Sequence, residues 1–340
     1  MVACLQSFDA VVVTSPNKTG LHSISANELG ENQVAIKTHY SGISTGTDRW
    51  VISGRFEWGS FGFPLVPGYQ RSGLVTAVGS KVKTVSVGQE VFATASCNFK
   101  DATAGWGGHT SFGVCEEFEV FDAQGIPPER SAFGVVAQVG YNAASRITAT
   151  NGSGVIVIGD GVIGLSGALS ARRRGYRVLL VGRHDSRLER VKSLGIDVAN
   201  SQTTSRKFLQ DFQASAVIDT VQNQEAFDLY YPALPATWAA VDFEIPRQGT
   251  GEIIYSGHRP DGVISWADMA HLQKQELTIH FVSGWTKARI QSTLELMRAG
   301  ALPLEEIATT YNANPSNVEK VFGKISEGKS PDLASSIFWK

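Results

Sequence analysis

Three glycines, Gly159, Gly161 and Gly164, carry the spacing Gly-x-Gly-x-x-Gly. Alone that spacing is weak, because glycine punctuates many loops. Its surroundings make it informative. The apolar run Gly154-Val-Ile-Val-Ile158 precedes it and reads as a buried strand. Residues 162–174 follow with a helical pattern, Gly175 stops it, and Arg177-Val-Leu-Leu-Val181 reads as a second strand. Strand, glycine turn, helix and strand form the unit that binds a dinucleotide pyrophosphate. Gly159 permits the tight turn, Gly161 lets backbone approach the phosphates, and Gly164 allows close helix packing. The free N–H groups opening the helix, at Val162 and Ile163, would receive the negative charge.

One strand later the sequence bears on cofactor choice. An NAD site usually ends its second strand with an acid that bonds the ribose 2′-hydroxyl. Here the segment is Val181-Gly-Arg-His-Asp-Ser-Arg187. Gly182 stands where the acid is expected, with Arg183, His184 and Arg187 around it. Arginine can hold a 2′-phosphate bidentately, whereas a carboxylate repels it. The expected cofactor is NADP in preference to NAD. Two alternatives stay open: Arg183 stacks on adenine, or Asp185 supplies the acid in a shifted register.

These motifs need a scaffold. At 340 residues the chain is too long for one ordinary core and suggests two domains. A net charge of −2 gives no reason to expect nucleic-acid or acidic-membrane binding. The apolar runs fall short of the roughly twenty residues needed to span a bilayer. The first residues lack the pattern of a signal peptide, so the cytoplasm is the expected compartment. Cys4, Cys97 and Cys115 form no C-x-x-C, so neither a disulfide framework nor a cysteine zinc site is indicated. Arg172-Arg-Arg174 reads as the dipole-complementing end of a helix.

The first part of the chain is β-rich. Gln33–Tyr40 alternates like a half-buried strand, and 71–79 and 90–95 are further strands between glycine turns. Beyond residue 122 the pattern becomes α/β, opening with an expected helix over 131–149. Strands at 154–158, 177–181, 197–199, 216–219, 252–255 and 277–281 make the six of a complete Rossmann sheet. A helix over 286–299 and a last strand at 335–339 follow. The expected fold is α/β: a Rossmann doubly wound parallel sheet plus a β-rich domain.

With Gly42-Ile-Ser-Thr-Gly-Thr-Asp48, Pro64-Leu-Val-Pro-Gly-Tyr69, Val87-Gly-Gln-Glu-Val91 and Gly107-Gly-His-Thr110 in place, the chain resembles the medium-chain dehydrogenase/reductase family over nearly its whole length. It looks most like the zinc-independent branch that includes the bacteriochlorophyllide dehydrogenases. The resemblance implies a GroES-like catalytic domain in two segments, 1–122 and 283–340, around a Rossmann domain, 123–282. It also places Gly257, His258 and Ser283, after the fifth and sixth Rossmann strands, beside the nicotinamide.

Zinc members of the family carry Cys in Gly-Ile-Cys-Gly-Thr-Asp and His-Glu in Gly-His-Glu. Here Thr45, or Ser44 in the neighbouring register, stands for the Cys, and Tyr69-Gln70 for His-Glu. Hydroxyls and an amide are poor zinc ligands. Metal independence is expected, with no metal site. Carbonyl reduction still needs a group that polarises oxygen and delivers a proton. Thr45, Thr47 and Tyr69 are the candidates the resemblance offers, with Thr47 on the family's proton-relay position. The alternative is that Tyr69 only fills the space left by zinc. His109 reads as a packed, hydrogen-bonded residue. Trp50, Arg55, Phe56 and Trp58 edge the substrate cleft, or form an ordinary surface loop or a dimer contact.

The resulting expectation is an NADP(H)-dependent, zinc-independent oxidoreductase for an alcohol/carbonyl pair. Alternatives are an NADPH-dependent enoyl or quinone reductase, and a non-catalytic NADPH-binding protein. The expected partners are a small-molecule substrate and a second copy of the chain.

Overall fold

The computed structural model describes residues 7–55, 62–234, 251–257, 272–273, 277–329 and 332–340. The chain divides into two compact units: Met1–Val135 with Ile290–Lys340, and Val136–Arg289.

The first unit is built on β-sheets. A four-stranded sheet contains β1 (Phe8–Ser15), β2 (Lys18–Ile24), β4 (Leu65–Val66) and β7 (Thr103–Ala104). A larger sheet is centred on β3 (Gln33–Ile43) and β5 (Arg71–Val78), and adds β6 (Glu90–Ala93), β8 (Phe112–Glu116) and β9 (Val120–Asp122). Two late strands, β16 (Ala308–Asn312) and β17 (Ala334–Phe338), complete it. β17 pairs antiparallel with β3, Ser335 opposite Ile43, so the chain's end returns to its first domain. Helices α1 (Thr45–Ser53) and α9 (Pro315–Ser326) cover this region; α9 buries Val318, Val321, Phe322 and Ile325 at helical spacing. They meet Val11, Ile43, Val51, Leu65 and Trp339 in one apolar cluster.

The second unit is a six-stranded parallel sheet. Its strands are β10 (Gly154–Ile158), β11 (Arg177–Gly182), β12 (Asp197–Asn200), β13 (Ala214–Asp219), β14 (Glu252–Ser256) and β15 (Thr278–Val282). They lie in the order β12-β11-β10-β13-β14-β15. Counted from β10, that is the 3-2-1-4-5-6 order of the doubly wound dinucleotide fold. All five residues of β10 are buried, as expected for a central parallel strand covered on both faces. The intervening helices include α4 (Val162–Arg173), α5 (Asp185–Ser193), α6 (Arg206–Phe212) and α7 (Gln224–Tyr230). The strand order reverses between β10 and β13, where ligands bind such sheets.

One helix differs from expectation. Residues 131–149 are not a single helix but a short turn, α2 (Pro128–Ser131), then α3 (Gly134–Ala144). Beyond Ala144, the N–H and hydroxyl of Thr148 donate to the Glu252 carboxylate, which draws the backbone out of helical pairing. The helix expected over 286–299 is α8 (Lys287–Arg298). Among the described residues no helix is long and apolar enough to cross a membrane.

Candidate functional site

The glycine loop has the geometry its spacing requires. Gly159 has φ +115°, a conformation other residues rarely adopt. Gly164 packs so tightly that a Cβ on it would lie 2.0 Å from the Gly159 carbonyl oxygen. A Cβ on Gly161 would meet no protein atom within 4 Å. The protein's own packing therefore does not demand glycine at 161, and the open space above it is what a close-lying ligand needs. Gly161 is also the N-cap of α4, so the unpaired N–H groups of Val162 and Ile163 open the helix. Gln222 donates from Nε2 to the carbonyls of Ser256 and Gly257, fixing the turn after β14. Gly257 sits there at φ +103°, Ser283 is exposed after β15, and His258 lies outside the described residues.

At the end of β11 the acid comes from an unexpected place. Asp160, between the first two glycines, turns its side chain onto the strand end. Its Oδ2 accepts the backbone N–H groups of Arg183 (2.8 Å) and His184 (2.9 Å). His184 Nδ1 and Arg187 Nη1 also reach this carboxylate. Burial alone would raise the Asp160 carboxyl, but the amides of His184 and Arg183 and the His184 ring outweigh it and hold it below the usual range. Arg187 is thus already paired, whereas Arg183 is exposed and without a side-chain partner among the described residues. Asp185 accepts from Asn200 Nδ2 at 2.6 Å, so the shifted-register acid is engaged elsewhere.

In the first unit the structure gathers three hydroxyls. Tyr69 OH donates to Ser44 Oγ at 2.5 Å, and Thr47 also hydrogen-bonds the phenol. Thr45 opens α1 one residue further on, so of the two registers at the zinc family's Cys position, Ser44 is the one that meets Tyr69. Tyr69 is 6% exposed, with its ring edge-on to Trp106. Burial pushes its phenol up to about 12, and the Asp48 charge adds to this, while hydrogen bonds with Ser44 and Thr47 pull the other way. Tyr69 is therefore a neutral hydrogen-bond donor throughout the physiological range. Gln70 is used by the backbone: Nε2 donates to the Gly42 carbonyl, and Oε1 accepts the Val135 N–H.

Beneath the hydroxyls lies a buried polar stack that sequence reading did not assemble. Asp48 Oδ2 accepts the Ser44 N–H at 2.9 Å, fixing the start of α1, and lies 3.2 Å from His109 Nε2. His109 Nδ1 is 2.9 Å from Ser41 Oγ, which accepts from Trp339 Nε1 at 3.0 Å. A carboxylate only accepts, so the His109 Nε2–H donates to Asp48 Oδ2, while Nδ1 pairs with the Ser41 hydroxyl. His109 and Asp48 are 61 residues apart, which hides the pair from local patterns. Trp50 lies within α1 and Arg55 just beyond it; Phe56, Trp58 and Cys4 lie outside the described residues. Cys97 and Cys115 are free thiols.

Comparison with known proteins places this architecture. Residues 30–130 match the alcohol dehydrogenase GroES-like domain. The 2-desacetyl-2-hydroxyethyl bacteriochlorophyllide A dehydrogenase of Cereibacter sphaeroides is 33% identical over 97 residues, 28% of this chain and 30% of that one. Cinnamyl alcohol dehydrogenase 8 of Arabidopsis thaliana is 27% identical over 231 residues, 58% of this chain and 63% of that one. The chain thus spans less than two thirds of these relatives' lengths. A putative zinc-binding dehydrogenase from Sinorhizobium meliloti 1021, solved bound to NADP, superposes with TM-score 0.79 at 17% identity, covering 98% of this chain and 99% of that one. Over residues 30–130 the chain carries the alcohol dehydrogenase GroES-like domain, and its fold is that of the solved dehydrogenase.

Proposed function

We propose that the protein is an NADP(H)-dependent, zinc-independent oxidoreductase acting on an alcohol/carbonyl pair. The observation that carries this reading is the hydroxyl cluster of Ser44, Thr47 and Tyr69, in which Ser44 and Tyr69 are buried and stand at positions of zinc ligands in metal-dependent relatives. Phenol, alcohol and amide groups do not fit zinc, which prefers thiolate, imidazole and carboxylate. They do fit an oxyanion, because hydroxyl donors stabilise the alkoxide character of a carbonyl under reduction. Hydride addition to an enone or quinone also develops charge on oxygen, so the substrate panel below separates carbonyl from enoyl or quinone reduction.

The open face above Gly161 and the N–H groups of Val162 and Ile163 fit a pyrophosphate. A bound nicotinamide cofactor supplies or accepts the hydride. With substrate present the Tyr69 hydroxyl would turn from Ser44 Oγ to donate to the substrate oxygen, with Ser44 and Thr47 as its hydrogen-bonded neighbours. Asp48 and His109 are not placed to touch substrate; they fix Ser44. Arg183 supplies the positive charge for a 2′-phosphate. A homodimer is the proposed assembly.

A panel of alcohols, ketones, enones and quinones with NADPH and NADH tests the reading, alongside elemental analysis. Turnover of alcohols or ketones with NADPH, without stoichiometric zinc, is expected. Turnover confined to enones or quinones, or one tightly bound zinc per chain, would refute it.

A further inference from the structure

Gly182 has a structural cause. A Cβ at that position would lie 2.4 Å from Asp160 Cβ and 2.6 Å from its Oδ2. The Asp160 side chain and any side chain at 182 therefore exclude one another. The carboxylate that an NAD site carries on its second strand has been replaced by one from the glycine loop.

That carboxylate is not free to receive a ribose. A carboxylate offers about four acceptor directions. Here the Arg183 N–H, the His184 N–H, the His184 ring and Arg187 all converge on it. Asp160 is 6% exposed with no ligand present. A ribose hydroxyl would have to displace one of these donors. What Asp160 does accomplish is local: it pins the turn between β11 and α5 from below. Arg183 then leaves that turn with its side chain exposed and without a partner among the described residues.

We infer that Asp160 is a positioning residue for recognition of the adenosine 2′-phosphate, anchoring the Arg183-His184 turn and Arg187 rather than accepting a ribose hydroxyl. This rests on the NADP(H) reading above. A carboxylate close to a phosphate is acceptable because Arg187 and the His184 ring lie against it. The arrangement makes cofactor choice a property of two coupled positions, 160 and 182.

The test uses the full-length protein. In the free wild type, amide exchange at Arg183 and His184 should be slow, and in Asp160→Ala it should become fast. By fluorescence titration, Asp160→Ala should weaken NADPH by about tenfold or more and change NADH by less than about threefold. Should Asp160→Ala fail to fold, Asp160→Asn keeps the volume and gives the same comparison. Gly182→Asp alone should be poorly folded, because the two side chains collide. The double change Asp160→Gly with Gly182→Asp should fold and prefer NADH. Equal weakening of both cofactors, or an NADPH preference that survives Asp160→Ala, would overturn the proposal. An NADH preference in the wild type would overturn the NADP(H) reading and the phosphate role with it, while the exchange result would still show the turn anchored.

Discussion

The proposed chemistry centres on Tyr69, and two substitutions separate donor from filler. Tyr69→Phe keeps the ring against Trp106 and removes the hydroxyl. It should lower kcat by about 10²-fold, the scale of one lost oxyanion donor, with NADPH affinity unchanged. Thr47→Val should lower kcat in the same direction. Near-wild-type turnover in both would show that another group supplies the proton. The pH dependence has a definite sign. The Tyr69 pKa is raised by folding, so its stabilising contribution is complete below the unfolded value near 10. It is lost as pH climbs through about 12. A kcat/KM profile for carbonyl reduction should therefore show no alkaline limb from Tyr69 below about pH 10. The motifs singled out Thr47 and Tyr69, and the fold brings the two side chains into hydrogen-bond contact. Sequence left Ser44 and Thr45 unresolved because the motif does not show where α1 begins. Asp48 decides that by accepting the Ser44 N–H. Breaking the stack by His109→Leu should cost about 3 kcal/mol in denaturant unfolding, since the Asp48 charge would remain buried without its ring partner. An unchanged midpoint would show that the pair is not structural.

At the scale of elements, the strand–glycine–helix unit was legible almost to the residue. Its strands are buried on both faces and read as continuous apolar runs, and its glycines have separate geometric duties. Those duties give opposite predictions for two substitutions. Gly161→Ala should leave thermal stability unchanged and weaken NADPH by about tenfold or more, because the added methyl enters open space where the proposed cofactor would lie. Gly164→Ala drives a methyl into the Gly159 carbonyl and should destabilise the free protein by about 1–3 kcal/mol. Thermal unfolding without ligand, followed by cofactor titration, reads both; a reversed order would refute the loop assignment. Elements governed by distant partners were less legible. The break after α3 depends on Glu252, about a hundred residues away, and α1 begins with Thr45-Gly46-Thr47, which has poor helix propensity. The Asp160 anchor was hidden for the same reason: its target is a pair of backbone amides, which no residue identity reveals.

For the whole molecule, the parallel sheet leaves one apolar surface to be accounted for. Among the described residues β15 ends the sheet order, so one side of its backbone has no strand beside it. Phe281 on this strand is 68% exposed, although its inner face stacks on Tyr255 at 5.3 Å. An edge strand carrying an exposed aromatic invites pairing with another strand. A second copy is the simplest partner, because a two-fold axis lets the same edge pair with itself. The proposed homodimer should therefore depend on Phe281. Light scattering of the wild type at micromolar concentration should give twice the chain mass of 36.6 kDa. Phe281→Arg should shift it toward monomer, because opposing guanidinium groups would repel across the axis and the apolar contact would be gone. The substitution is at an exposed position, so unfolding of the monomer should be little affected. A monomeric wild type would remove the dimer proposal. A Phe281→Arg protein that stays dimeric would move the interface away from β15, leaving the exposed ring to another role.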